Sequence, residues 1–103
     1  MSQFKKLDPL LHNELRLAIV SLLVASEKAE FKFLKESTKA TAGNLSVQIS
    51  KLKEAGYINV KKQFKNNYPL TICSITKKGI KAFEIYVQSI RAYLNVKQTK
   101  NKK

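Results

Sequence analysis

Acidic residues are scarce in this chain: seven Asp and Glu stand against 20 Lys and Arg in 103 residues, for a formal charge of +13. A charge that high repels itself within the fold and attracts a polyanion, so nucleic acid is the expected partner. The imbalance is local. Residues 32–103 carry 16 Lys or Arg against only Glu36, Glu54 and Glu84, whereas the first 31 residues hold four of each sign. A single cysteine, Cys73, excludes an internal disulfide, and with one histidine, His12, no zinc set can be assembled. Both are read as packing residues, and no cofactor or metal is expected. One histidine also leaves few acid–base options, and no phosphate-cradling loop, zinc-protease motif or nucleophile elbow is present, so an enzyme is not expected. Long apolar runs are missing too. The longest, Leu17 to Ala25, is interrupted by Ser21 and falls well short of the roughly 20 residues of a membrane span. Asp8, Pro9, His12, Asn13, Glu14 and Arg16 occupy the place of a signal peptide's apolar region. A soluble, unexported, cytoplasmic protein without a membrane partner is expected.

With 44% apolar residues the chain can bury one core, and at this size it is read as one domain over residues 1–96 with a lysine-rich, disordered tail over 97–103. The most informative stretch is 41–60, TAGNLSVQISKLKEAGYINV. Leu45, Ile49 and Leu52 share one helical face, while Asn44, Val47, Gln48 and Lys51 lie off it. Thr41 can cap the first turn, Gly56 can stop the helix in the left-handed conformation, and Tyr57 to Val60 alternates as a half-buried strand.

Upstream, Asp8 reads as the cap and Pro9 as the first position of a helix carrying Leu11, Leu15, Ala18, Ile19, Leu22 and Leu23, ending near Ser26. Glu27 to Glu30 reads as a charged connector. Phe31, Phe33 and Leu34 begin a second helix of about seven residues ending near Thr38, with Phe31 open to a brief edge strand before it. Lys39 and Ala40 turn into the Thr41 helix, giving residues 32–55 the layout of a helix-turn-helix. Strand 57–64, the turn-rich connector Lys65 to Pro69 and strand 70–75 form a basic hairpin. Thr76 caps a last helix of about 20 residues, to about residue 96. That helix is longer than so small a domain needs. Its apolar residues Ile80, Phe83, Tyr86, Val87, Ile90, Tyr93 and Leu94, with Leu11 of the first helix, are expected to pack on a second copy of the chain; burial against its own domain is the alternative.

This order of elements resembles the winged-helix fold of MarR- and ArsR-type transcriptional regulators. The similarity extends to residues: Leu7-Asp8, His12, Arg16-Leu17-Ala18-Ile19, Phe31, Leu34-Lys35, Thr41 to Ser46, Lys51-Leu52, Ala55 to Ile58, Pro69-Leu70-Thr71, Thr76 to Gly79 and Ala82-Phe83 resemble the small, single-domain branch. The resemblance covers about residues 7–95. It implies a mainly α, α+β winged helix: a three-helix helix-turn-helix core, a two-stranded β-wing and a long C-terminal dimerisation helix. It further implies a homodimeric regulator of double-stranded DNA with a nearly palindromic operator, half-sites about one turn or roughly 10 base pairs apart. Gln48 stands where the resemblance leads one to expect histidine, which bears on target sequence.

On that frame, Thr41, Gly43, Asn44, Ser46, Val47, Gln48 and Lys51 are the candidates for the major groove. Asn or Gln can read adenine bidentately, Thr or a backbone N–H can hold phosphate, and Val47 can meet a thymine methyl. Solvent-facing polarity is the plain alternative, and Ser46 fits helix packing equally well. Lys61, Lys62, Lys65, Asn66, Asn67 and Tyr68 make a basic wing for phosphate or minor groove, or else an edge hairpin kept soluble by lysine; Tyr68 suits anchoring of the hairpin. Lys32, Lys35 and Lys39 of the second helix approach the backbone or form a solvated face. Arg16, among apolar neighbours, fits an ion pair, for example with a partner-chain carboxylate, as well as a DNA contact. Other uses stay open, namely a protein-interaction module, non-specific nucleic-acid binding, and a small-molecule effector for which no specific polar group can be assigned.

Overall fold

Asn13, not Asp8, starts the first helix. The computed structural model describes residues 4–100, with side chains over 4–95. Helix α1 spans Glu14–Ser26, and the Asn13 side chain accepts from the Arg16 N–H at 2.9 Å, the reach of an N-cap onto the third helical position. Asp8 and Pro9 instead form a preceding turn, in which Asp8 Oδ1 accepts from Leu10 N at 2.9 Å and its backbone carbonyl from His12 N at 2.8 Å. Two good capping residues lie five apart, and the second wins because Asp8 is committed elsewhere: its Oδ2 accepts from the Tyr57 hydroxyl at 2.5 Å. Burial, then the Asp8 hydrogen bond and charge, push the Tyr57 phenol up to about 12.

The supposed connector after α1 is strand β1, Lys28–Glu30, and Phe31 opens helix α2, Phe31–Thr38, instead of an edge strand. Lys39, in the left-handed region at φ 59, turns the chain into α3, Ala42–Glu54, whose N-cap Thr41 accepts from Asn44 N at 3.1 Å. At the other end Gly56 N bonds Lys53 O at 2.9 Å and Tyr57 N bonds Leu52 O at 3.0 Å, the paired bonds of a Schellman stop, with Gly56 at φ 83.

Strands β2, Ile58–Lys65, and β3, Tyr68–Ile75, follow, and the antiparallel sheet runs β1-β3-β2. It therefore has three strands where two were expected. The loop is also tighter than expected: Lys65 pairs with Tyr68, leaving only Asn66 and Asn67, both at positive φ (52 and 69). Two central residues of that conformation make a type I′ hairpin turn, which asparagine tolerates well. Tyr68 and Pro69 accordingly belong to β3.

Thr76 caps helix α4, Lys77–Lys100, through Gly79 N to its Oγ1 at 3.0 Å. Lys97 to Lys100, expected as the start of a disordered tail, continue this helix; residues 101–103 lie outside those described. Leu11, Ile19, Val20, Leu23, Leu34, Leu45, Ile49, Leu52, Ile58, Cys73 and Tyr86 form one buried core. Leu11 and Tyr86 are thus internal residues and cannot serve as the exposed dimer contacts assigned to them. The α4 stripe that holds Tyr86 is amphipathic in sequence, but its deepest position finds a partner within the chain. Tyr86 OH lies 2.9 Å from His12 Nδ1, a packing contact between α4 and the segment before α1.

Burial also pushes the Cys73 thiol up to about 11. Thiolate is the reactive form. The native protein is therefore expected to resist a thiol-specific reagent such as Ellman's at pH 8 and to react stoichiometrically in denaturant; rapid native labelling would contradict the buried placement.

Candidate nucleic-acid interface

Helix α3 buries Leu45, Ile49 and Leu52 and turns its remaining surface outward. At 100° per residue, Gly43, Val47, Ser50 and Glu54 form the line farthest from the core. All four are exposed, Val47 at 50%. Ser46 and Lys53 flank this line on the wing side; Asn44, Gln48 and Lys51 flank it on the other. Thr41 lies at the exposed N-terminus with its hydroxyl oxygen engaged in the cap. A β-carbon added at Gly43 would meet nothing within 4 Å, so nothing inside the protein requires glycine there.

Gln48 differs from its neighbours in being half-buried and bonded at both ends of its amide. Its Oε1 accepts from Arg16 Nη1 at 2.5 Å, and its Nε2 donates to Asn44 Oδ1 at 3.0 Å. Arg16 also donates from Nε to the Leu10 carbonyl at 2.6 Å. Arg16 thus bonds within its own chain, tying α1 to α3, a contact the sequence does not indicate.

The hairpin register sorts the wing side chains between two faces, since alternate residues of a strand point oppositely and directly paired residues point together. Lys62 and Phe64, paired with Thr71 and Pro69, share the face of Val60 and Cys73; Lys61 and Lys65, paired with Ile72 and Tyr68, take the other. The predicted cluster of wing cations is therefore split. Lys62 faces α3 across a cleft of about 320 Å³ lined by Phe31, Ser46, Ile49, Ser50, Lys53, Val60, Lys62 and Thr71. Tyr68 is 73% exposed, so it does not anchor the hairpin as expected; Phe64, equally exposed, was not anticipated. Its alternation with Val60 and Lys62 along one strand could have revealed it. Ser50 and Lys53 were likewise missed, although helical spacing from Ser46 places them on the same outward surface. Lys32, Lys35 and Lys39 are all exposed on or just after α2.

On α4, Ile80, Phe83, Val87 and Ile90 are half-buried, whereas Leu94 is 66% exposed and Ile85, absent from the predicted set, 52%. Tyr93 is partly occupied within the chain: its hydroxyl donates to the Lys5 carbonyl at 2.9 Å and its ring lies 5.0 Å from that of Phe4. Among the described residues, no helix is long and apolar enough to cross a membrane.

A family model described as a winged helix DNA-binding domain matches residues 15–94. Over 75 residues the chain is 40% identical to an uncharacterised protein of Methanocaldococcus jannaschii, covering 73% of this chain and 82% of that one. Among solved structures, a transcriptional regulator homologue from Pyrococcus horikoshii superposes with a TM-score of 0.79 at 28% identity, covering 84% of this chain and 85% of that chain. A putative transcriptional regulator from Thermoplasma acidophilum shares the fold at a TM-score of 0.71 and 20% identity, over 89% and 94% of the two chains.

Proposed function

The chain belongs to the winged helix DNA-binding domain family, and from that premise we propose that it is a sequence-specific regulator that binds double-stranded DNA as a homodimer, one α3 in each of two successive major grooves. The observation that carries this reading is the outward surface of α3. It carries short side chains along Gly43, Val47 and Ser50, has the polar residues Thr41, Asn44 and Ser46 beside them, and continues across the cleft to Lys62. A groove-binding helix needs a thin, polar face that lets base edges approach, with cations placed for the flanking phosphates. On this reading Lys51, Lys53 and Lys62 neutralise phosphates closest to α3. Lys32, Lys35, Lys39, Lys61, Lys65, Asn66, Asn67 and Tyr68 act farther out on the backbone. Val47 meets a thymine methyl.

Gly43 supplies a test that separates binding from folding. Glycine inside a helix costs about 0.5–1 kcal/mol relative to alanine, and the site has room for the methyl group. Gly43→Ala is therefore expected to raise stability by up to about that amount while weakening binding to a cognate duplex at least several-fold, read by fluorescence anisotropy. Unchanged binding in the stabilised variant would remove α3's first turn from the interface.

Dimerisation rests on the apolar surface that α4 leaves uncovered, at Leu94 and the open parts of Ile80, Val87 and Ile90. Light scattering on the full chain is expected to give twice 11.7 kDa. A folded monomer at micromolar concentration would contradict the two-fold arrangement.

A further inference from the structure

The bonds from Arg16 through Gln48 to Asn44 determine which way round both amides sit. Guanidinium can only donate, so the Gln48 atom facing Arg16 Nη1 at 2.5 Å has to be oxygen. The other atom of that amide is then the nitrogen, which donates at 3.0 Å to Asn44 and fixes the facing Asn44 atom as oxygen in turn. Orientation passes outward from a residue held on two sides, because Arg16 also donates to the Leu10 carbonyl at 2.6 Å and its own N–H is bound by the Asn13 cap at 2.9 Å. Each amide oxygen already accepts one bond within the protein, so only its second lone pair is open. Free to donate to a ligand are the Asn44 amino group, on an exposed position in the first turn of α3, and one N–H of Gln48.

An amide reads adenine bidentately by accepting from N6 and donating to N7, for which Asn44 would have to use an oxygen already bonded to Gln48. Guanine's major-groove edge presents two adjacent acceptors, O6 and N7, and suits a pair of donors. We propose that Arg16 is a positioning residue for base selection: by holding Gln48 and Asn44 as donors it directs this end of α3 to guanine in preference to adenine. The inference rests on the reading of α3 as a groove-binding helix and adds to it the base class and the residue that sets it. Arg16 does so without touching DNA, which explains why an arginine lies half-buried among apolar residues of α1.

The test compares the full-length protein with Arg16→Met, each shown to be folded by circular dichroism, in selection from a randomised duplex library. Base preference is a ratio at one position, so the charge lost in the variant, which weakens all sequences alike, cancels. The unaltered protein is expected to favour guanine over adenine about fivefold or more at one position per half-site. Arg16→Met, which frees the Gln48 amide to rotate, is expected to bring that ratio within about twofold while keeping the rest of the motif. A preference for adenine in the unaltered protein, or an undiminished guanine preference in Arg16→Met, would overturn the proposal. Side-chain amide resonances of the DNA-free proteins give an independent reading: those of Gln48 and Asn44 are expected to move together in Arg16→Met. Immobile resonances would refute the relay while leaving DNA binding intact, whereas moving resonances with no motif selected by either protein would locate the failure in the groove-binding reading and overturn the base assignment with it.

Discussion

Replacing Gly79 with alanine is expected to destabilise the fold by about 3 kcal/mol or more, at the upper end of overpacking substitutions. The added β-carbon would lie 2.2 Å from the Tyr57 carbonyl oxygen and 2.9 Å from Ile75 Cδ1. The first of these is backbone, which no rotamer change can relieve. The same carbonyl accepts from Thr76 N at 3.1 Å, and Thr76 Oγ1 lies 2.7 Å from the Gly56 carbonyl and 3.0 Å from that of Tyr57 while accepting from Gly79 N. Moving Tyr57 aside would therefore disturb the stop of α3 and the cap of α4 together. Urea unfolding of the two glycine variants checks the contrast: Gly43→Ala shifts the midpoint up and Gly79→Ala shifts it far down. A Gly79→Ala loss below about 1 kcal/mol would show that α4 can slide on the β2 entry without cost, against the close packing expected of protein interiors.

Affinity for duplex DNA is expected to fall by about 10³–10⁵ between 50 and 200 mM salt, the range for a protein making about six to ten phosphate contacts. The argument is counterion release: each phosphate neutralised by a lysine frees condensed cations, contributing about 0.9 to the slope of log affinity against log salt. The excess of 20 basic over seven acidic residues supplies more cations than this requires, so position decides which count. Lys62 faces the α3 cleft and Lys61 the opposite side of the hairpin. Lys62→Gln is expected to lower the dimer's slope by roughly 1.8, two contacts' worth, and Lys61→Gln by less. Equal effects would mean that the hairpin twists so that both faces meet the backbone, and a flat salt response would remove electrostatics from the account.

The parts of this fold legible in the sequence are those written in local pattern. Helix α3 was fully specified by Thr41, the Leu45-Ile49-Leu52 stripe and Gly56, because cap, period and stop all lie within 16 residues and agree. Strand β1 was hidden for the opposite reason. Its three residues Lys28, Ala29 and Glu30 have no alternating apolar face, and backbone pairing to Ser74, Cys73 and Ile72 makes the strand. Asp8 carried a genuine capping signal, but a bond to Tyr57, 49 residues away, used it differently. The α4 stripe shows an apolar helix without showing which neighbour covers each turn, so Tyr86, like Leu11 before α1, reads as an outward contact although it lies inside. The interface was legible as a set of candidate residues and not as an arrangement. Arg16 meets Gln48 across 32 positions of sequence, and no periodicity reports such a contact.

The central claim is dimeric, sequence-specific reading of DNA, and selection from a randomised duplex library at near-physiological salt tests it most directly. A motif with two-fold symmetry and half-sites about one helical turn, roughly 10 base pairs, apart is the predicted result. Binding that enriches no motif, or no binding to duplex at all, would contradict it.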